Sequence, residues 1–112
     1  MLSKKYRMKK NSQFDYIFRN GKTIKSGKLL IFYSSSKSKS FKIGIVVSKK
    51  IGKSVTRNHV KRLLRESIHQ NLHNLNNNLN YIFVARQGIE ELTFNEINTT
   101  ILGLITKLKI ND

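Results

Sequence analysis

Apolar positions along the chain recur in two periods, and the alternation between them lays out the elements. Phe14, Ile17 and Phe18 fall at i, i+3 and i+4, the spacing of one helical face, with Asn11 or Ser12 ahead of them as an N-cap and Gly21 behind as a stop. From Lys22 to Ser34 the pattern predicts one extended segment, strongest over Leu29–Tyr33. There Lys28, Leu30 and Phe32 share one face while Leu29, Ile31 and Tyr33 share the other, and both faces are apolar enough to be covered. The low-complexity run Ser34–Ser40 then reads as a turn. In the next segment Phe41, Ile43, Ile45 and Val47 alternate with Lys42, Gly44, Val46 and Ser48, which predicts a second strand in a hairpin with the first.

The period changes again after Ile51-Gly52-Lys53-Ser54, which reads as a turn with Ser54 or Thr56 as helix cap. At 100° per residue Val60, Leu63, Leu64 and Ile68 form one apolar stripe, and Asn58, Lys61, Arg62 and Arg65 lie opposite. Arg57 does not fit that polar face and is placed in the first turn or just before it. The helix is expected to run to about Leu72 or Leu75 and to fray into an Asn-rich stretch whose side chains compete for backbone hydrogen bonds. Tyr81–Ala85 reads as a short buried strand. Thr93 and Glu96 then form a capping box for a last helix with Ile97, Ile101, Leu104, Ile105 and Leu108 on its apolar stripe. This order predicts an α+β fold with helices packed on one sheet.

Length and composition bound what such a fold can do. A chain of 112 residues is expected to form one domain, 1–112, with residues 1–10 as a basic, mobile or loosely docked arm. With no cysteine there is neither a disulfide framework nor a thiolate metal site. No apolar run reaches the roughly 18 residues of a membrane span, and the N-terminus lacks a signal-peptide core, so a cytoplasmic protein with no membrane partner is expected. His69 and His73 stand at i and i+4 with no third ligand in view, and no metal site is assigned to them.

Charge changes the picture most. The net charge is +16 and the pI about 10.5, and no Asp or Glu occurs from Tyr16 through Arg65, a span holding fourteen Lys and Arg residues. A solvated face normally mixes signs. Unbalanced cations repel one another, and an external polyanion removes that strain. The density peaks between Lys49 and Glu66, where Lys49, Lys50, Lys53, Arg57, Lys61, Arg62 and Arg65 surround Asn58 and His59. At the helix start the backbone N–H groups and Arg57 can converge on a phosphate, and nucleic acid is the favoured partner. Hydrolysis by protein groups would need clustered carboxylates or an aligned base, and the six acidic residues show no such motif. No catalytic residue is assigned, and no small-molecule substrate.

The run from Ser48 to Glu66, SKKIGKSVTRNHVKRLLRE, resembles the signature of the protein subunit of bacterial ribonuclease P, and RMKKNSQFDYIFRNG, FKIGIVVSKK and YIFVARQG resemble the same family in the same order. One departure stands at His59, where the family carries a second arginine; imidazole offers less charge and a different donor geometry. The resemblance implies an αβββαβα sandwich similar to domain 2 of ribosomal protein S5, with a left-handed βαβ crossover; general handedness rules would predict a right-handed one. It implies a ribonucleoprotein endoribonuclease that removes the 5′ leader of precursor tRNA, with Mg2+ and catalysis in the RNA subunit and no cofactor on the protein itself. Lys49, Lys50, Lys53, Arg57, Asn58, His59, Lys61, Arg62 and Arg65 would contact that RNA subunit. Phe14, Phe18, Lys28, Leu30 and Phe32 would line a cleft for the single-stranded leader, although the helical stripe reads Phe14 and Phe18 equally well as core. A non-catalytic RNA binder, such as a ribosomal component, is the alternative the residues leave open, and an autonomous protein nuclease is disfavoured by the missing carboxylate cluster.

Overall fold

The computed structural model describes residues 4–35, 42–76 and 78–111. Helix α1 (Asn11–Asn20) is followed by strands β1 (Lys22–Ser26), β2 (Leu29–Ser35) and β3 (Ile43–Val46), helix α2 (Ser54–Gln70), strand β4 (Leu79–Ala85) and helix α3 (Phe94–Asn111). The strands form one sheet in the order β1-β2-β4-β3. β1 and β4 run antiparallel to β2, while β3 lies parallel to β4, so α2 is the connection between two parallel neighbours.

Period-two side chains sort the sheet into two faces. Leu29, Ile31 and Tyr33 of β2 and Tyr81, Phe83 and Ala85 of β4 meet Val60, Leu64 and Ile68 of α2 and the α3 stripe Ile97, Ile101, Leu104, Ile105 and Leu108. This is the main core, and each such side chain contributes about 1.5–3 kcal/mol when fully buried. On the other face Ile82, with Phe32, Val46 and Val84 beside it, packs against Met8, Phe14 and Ile17. The described residues therefore form three layers, with α1 and Met8 of the arm on one side and α2 and α3 on the other. Gly44 sets the spacing of the thinner layer: a Cβ there would lie 2.5 Å from a ring carbon of Phe14, so the bare backbone of β3 is the seat of that ring.

Several expectations change on contact with the fold. The segment from Lys22 to Ser34 is not one strand but a hairpin, folded at a two-residue loop with Ser26 opposite Leu29. β2 and β3 are not a hairpin, because β4 lies between them and pairs with both. Of the expected Ser34–Ser40 turn, Ser34 and Ser35 belong to β2, and the rest lies outside the described residues. The arm is docked over its described part: the Met8 N–H donates to the Ile43 carbonyl at 2.8 Å and Met8 is 6% exposed. An apolar residue inside a basic run was enough to bury it.

The helix ends also moved. α1 and α2 start without a side-chain cap, at Asn11 and Ser54, and Ser12 and Thr56 lie inside the first turns. α2 stops at Gln70, short of Leu72, because Asn71 turns its amide back on the helix. Asn71 Nδ2 donates to the Ser67 carbonyl at 2.8 Å and to Asn98 Oδ1 at 3.0 Å, and the Ser67 hydroxyl donates to the same Asn98 oxygen at 2.6 Å. This buried triad satisfies polar groups between α2 and α3 and fixes their register. His69 is thereby left in the last turn of α2 and His73 in a separate 3-10 turn. The capping box forms as expected: the Thr93 N–H donates to Glu96 Oε1 at 2.9 Å, and the Glu96 N–H donates to Thr93 Oγ1 at 3.2 Å.

Two stability predictions follow from these contacts. Gly44→Ala is expected to cost about 1–3 kcal/mol through overpacking against Phe14. In urea denaturation the same change should cost less in a Phe14→Leu background, and an equal cost in both would refute the contact. The hydrogen bonds from Thr93 hold the Glu96 carboxyl below its usual range. A depressed carboxylate stabilises the fold above its unfolded pKa and loses that contribution as pH falls through the folded value. Melting temperatures of the parent chain and Glu96→Ala should therefore differ near neutrality and converge in acid; a gap that widens toward acid would contradict the cap.

Candidate nucleic-acid interface

The basic stretch is presented by a turn, a glycine and the first half of α2. Lys49–Ile51 forms a 3-10 turn anchored by the buried Ile51, and Gly52 follows at φ +155°. A Cβ at Gly52 would also meet the Thr56 side chain at 3.2 Å, so a larger residue is disfavoured there by backbone and by space. The Gly52 carbonyl accepts a hydrogen bond from Arg57 Nε at 3.1 Å, which fixes the guanidinium beside the helix start. Arg57 is thus in the first turn, as expected, but it stands in line with Lys61 and Arg65 rather than off their face as the ideal wheel had it.

Because Val60, Leu64 and Ile68 are committed to the core, the rotation of α2 is fixed. Arg57, Lys61 and Arg65 then succeed one another at i, i+4 and i+8 along a half-buried line, and Asn58, His59 and Arg62 stand exposed beside it. Lys49, Lys50 and Lys53 are exposed at the same end. Val55, 80% exposed in the first turn, adds an apolar contact in their midst.

Two residues that sequence reasoning passed over join this surface. Arg7 of the docked arm lines a pocket of about 230 Å³ together with Met8, Lys9, Phe14, Ile43, Ile45 and Arg65. Burial, and then the nearby charge of Arg7, push the Arg65 guanidinium below its ordinary pKa. Arg86 is the second: its N–H donates to the Lys28 carbonyl at 2.9 Å, while Gln87 Nε2 donates to the Lys50 carbonyl at 3.1 Å. These bonds gather Lys28, Arg86 and Lys50 at one end of the sheet. The signal for Arg7 was Met8 beside it, an apolar position in a basic run; that for Arg86 was its place in YIFVARQG, one of the runs that carry the resemblance.

The aromatic positions come together on the α1 face. Phe18 and Phe32 meet nearly at right angles with ring centres 4.9 Å apart, and Phe14 lies 6.5 Å from Phe18. Phe18 is 41% exposed, whereas Phe14, Phe32 and Leu30 are half-buried. Core and cleft therefore share these rings: Phe14 and Phe32 pack with Ile17 and Ile82, and part of Phe18 faces outward. Lys28 stands apart from them in the loop before β2, its side chain over Gly88.

The few acidic groups nearby are occupied locally. Both Glu90 oxygens accept the Gly88 N–H, and Glu66 Oε1 accepts from Gln70 at 3.3 Å. Among the described residues no group of three or more His, Asp or Glu comes together to hold a metal ion. The arrangement can thus neutralise phosphates along a line and offer ring faces to bases.

Comparison with known proteins gives one answer. A family model described as Ribonuclease P matches residues 2–109. The chain is similar to the ribonuclease P protein component of Macrococcus caseolyticus, 41% identical over 89% of this chain and 87% of that one. It is similar to that of Listeria monocytogenes, 35% identical over 99% and 98%. In structure it is similar to the RNase P protein of Staphylococcus aureus, with a TM-score of 0.85, 29% identity, and coverage of 96% of this chain and 98% of that one.

The ring geometry yields a separable prediction. Phe18→Ala should weaken binding of single-stranded RNA by about 1–3 kcal/mol, the contribution of one stacked base. It should cost less stability than Phe14→Ala. Unchanged binding in a fluorescence titration would remove Phe18 from the interface.

Proposed function

The chain belongs to the ribonuclease P family as the protein component of that ribonucleoprotein endoribonuclease, and from this premise we propose how its surfaces divide the work. The line Arg57, Lys61 and Arg65, with Asn58, Arg62 and the more weakly contacting His59, docks on the catalytic RNA subunit. Lys49, Lys50 and Lys53 extend that contact. The ring row of Phe14, Phe18 and Phe32, with Leu30 beside it and Lys28 at the sheet end, takes the single-stranded 5′ leader of precursor tRNA. Divalent metal ions, Mg2+ above all, sit in the RNA subunit, where the phosphodiester is cleaved, and the protein supplies no catalytic side chain. It acts in the cytoplasm, without a membrane partner or small-molecule substrate; no helix among the described residues is long and apolar enough to cross a membrane.

The observation that carries this reading is the collinearity of Arg57, Lys61 and Arg65 on a helix whose other side is locked into the core. Two folded RNAs repel each other when they dock. A cationic wedge between them lowers that repulsion and helps retain divalent ions when these are scarce. If about 5 phosphates are neutralised, log K should fall with log salt at a slope near −3.5 to −4.5. A slope near zero would exclude phosphate contacts as the source of affinity.

The functional test mixes the purified protein with ribonuclease P RNA and precursor tRNA at low magnesium and scores leader release. Stimulation of the RNA is expected. Cleavage by protein alone would point to an autonomous nuclease, and no stimulation to a plain RNA binder. The triple variant Arg57→Ala, Arg62→Ala, Arg65→Ala should stay folded and lose the stimulation. His59→Arg should tighten RNA binding and steepen the salt slope by about 0.7–0.9, the value of one more phosphate contact.

A further inference from the structure

A second basic groove lies next to the ring row, and its walls come from the arm, the start of α1 and the residue before β3. Lys4, Arg7, Lys9, Lys10, Gln13 and Lys42 line about 340 Å³ of open space, with no carboxylate among these described residues. The groove is built rather than incidental. The parallel bridge between Arg7 and Ile43 and the bond from Met8 N–H to the Ile43 carbonyl hold the arm along β3. Lys42 ties it again, its ammonium donating to the Lys5 carbonyl at 2.5 Å and its backbone N–H to Asn80 Oδ1 at 2.8 Å.

Position decides what the groove is for. Arg7 and Lys9 line both this groove and the pocket that contains Phe14 and Arg65, so the two are continuous. Phe14 in turn is the first ring of the row that runs through Phe18 to Phe32. Rings with cations beside them suit a strand whose bases are unstacked, whereas a groove of cations without a ring suits its sugar-phosphate backbone. We propose that the arm groove of Lys4, Arg7, Lys9, Lys10 and Lys42 holds the phosphodiester backbone of the same single strand whose bases lie on Phe14, Phe18 and Phe32. The bound strand is therefore longer than the ring row, and affinity grows with strand length beyond the bases that stack. This inference rests on the proposed leader cleft and extends it by the segment the arm covers.

The test uses the full chain and fluorescent oligouridylates of about 4 and about 12 nucleotides, lengths spanning the site sizes of single-strand binders. The variant is Lys4→Gln with Lys10→Gln, which line the groove but not the Phe14 pocket. Lys42 is kept because it anchors the arm. A charge-matched control, Lys25→Gln with Lys109→Gln, removes two exposed cations from β1 and α3. The parent should bind the longer oligomer at least tenfold more tightly. The groove variant should lose most of that gain and lower the salt slope for the longer oligomer by about 1.4, two contacts at the single-strand coefficient. It should match the parent on the short oligomer, and the control should match the parent on both.

Equal loss in the control would reduce the effect to net charge and overturn the proposal. So would a groove variant that keeps the parent's length dependence, or one that loses affinity for ribonuclease P RNA while binding both oligomers normally. The ring-row reading is judged separately by Phe18→Ala: if it binds the short oligomer as the parent does, that reading fails, whatever the groove variant shows.

Discussion

Repulsion among positive charges is the term this structure must contain, and the apolar underside of α2 is what contains it. Val60, Leu64 and Ile68 sit at or below 1% exposure, between the sheet and α3. Their burial fixes the rotation of the helix, and rotation alone decides whether Arg57, Lys61 and Arg65 form a line or scatter around a cylinder. The core here does more than stabilise. It converts a run of basic residues into a surface with spacing, and spacing is what separates a phosphate-binding edge from a merely soluble one. The Ser67–Asn71–Asn98 triad supports the same end, since a slip of α2 against α3 would leave buried polar groups unpaired.

Two glycines tie that line to the rest of the molecule. At Gly52 the chain turns sharply enough to bring its carbonyl under Arg57, so the first cation of the line is positioned by the backbone. At Gly44 the absence of a side chain lets Phe14 lie on the strand that leads into the same turn. Strand β3 thus seats Phe14 on its flank and leads into the cations at its end, Gly44 and Gly52 standing eight residues apart in sequence. A substitution at either glycine would act on the surface through the backbone, with no charged group touched.

The parts of this fold written in short-range pattern were legible, and the parts set by long-range pairing were not. The α3 stripe and the Thr93–Glu96 box are local, and both stand where the spacing put them. So do the apolar residues of α2, for which periodicity and burial ask the same question. Periodicity missed the hairpin at Ser26–Leu29, which the αβββαβα order implied by the resemblance contains, because Lys22–Ser26 carries one buried residue, Ile24, and so gives no alternation to read. The place of β4 between β2 and β3 was beyond local reasoning, since adjacent segments joined by a turn usually pair and here the partner arrives after α2. Charge density alone singled out the residues that the fold brings into the α2 line. Arg7 was not singled out, because its place depends on where Met8 is buried, and Lys28 falls in the loop of a hairpin that the pattern did not show.

The docked arm reconciles two demands that ordinarily compete. β3 is an edge strand, and an exposed edge invites pairing with another chain; proteins blunt such edges with charge or cover them. Here one segment does both, since Met8 covers the edge while Lys4, Lys9 and Lys10 stand exposed around it. The opposite edge, β1, carries exposed Lys22 and Lys25 and the Lys107 ammonium on the Lys25 carbonyl, with no strand or arm paired along it among the described residues. That asymmetry has a physical consequence. Charge suffices to keep an edge unpaired, so covering β3 as well adds nothing to that protection; what it adds is a wall, standing between the rings of α1 and the cations of α2. A polyanion bound on the helix line as proposed would meet that wall as a channel, and the fixed position of the arm means little further ordering would be required when it enters.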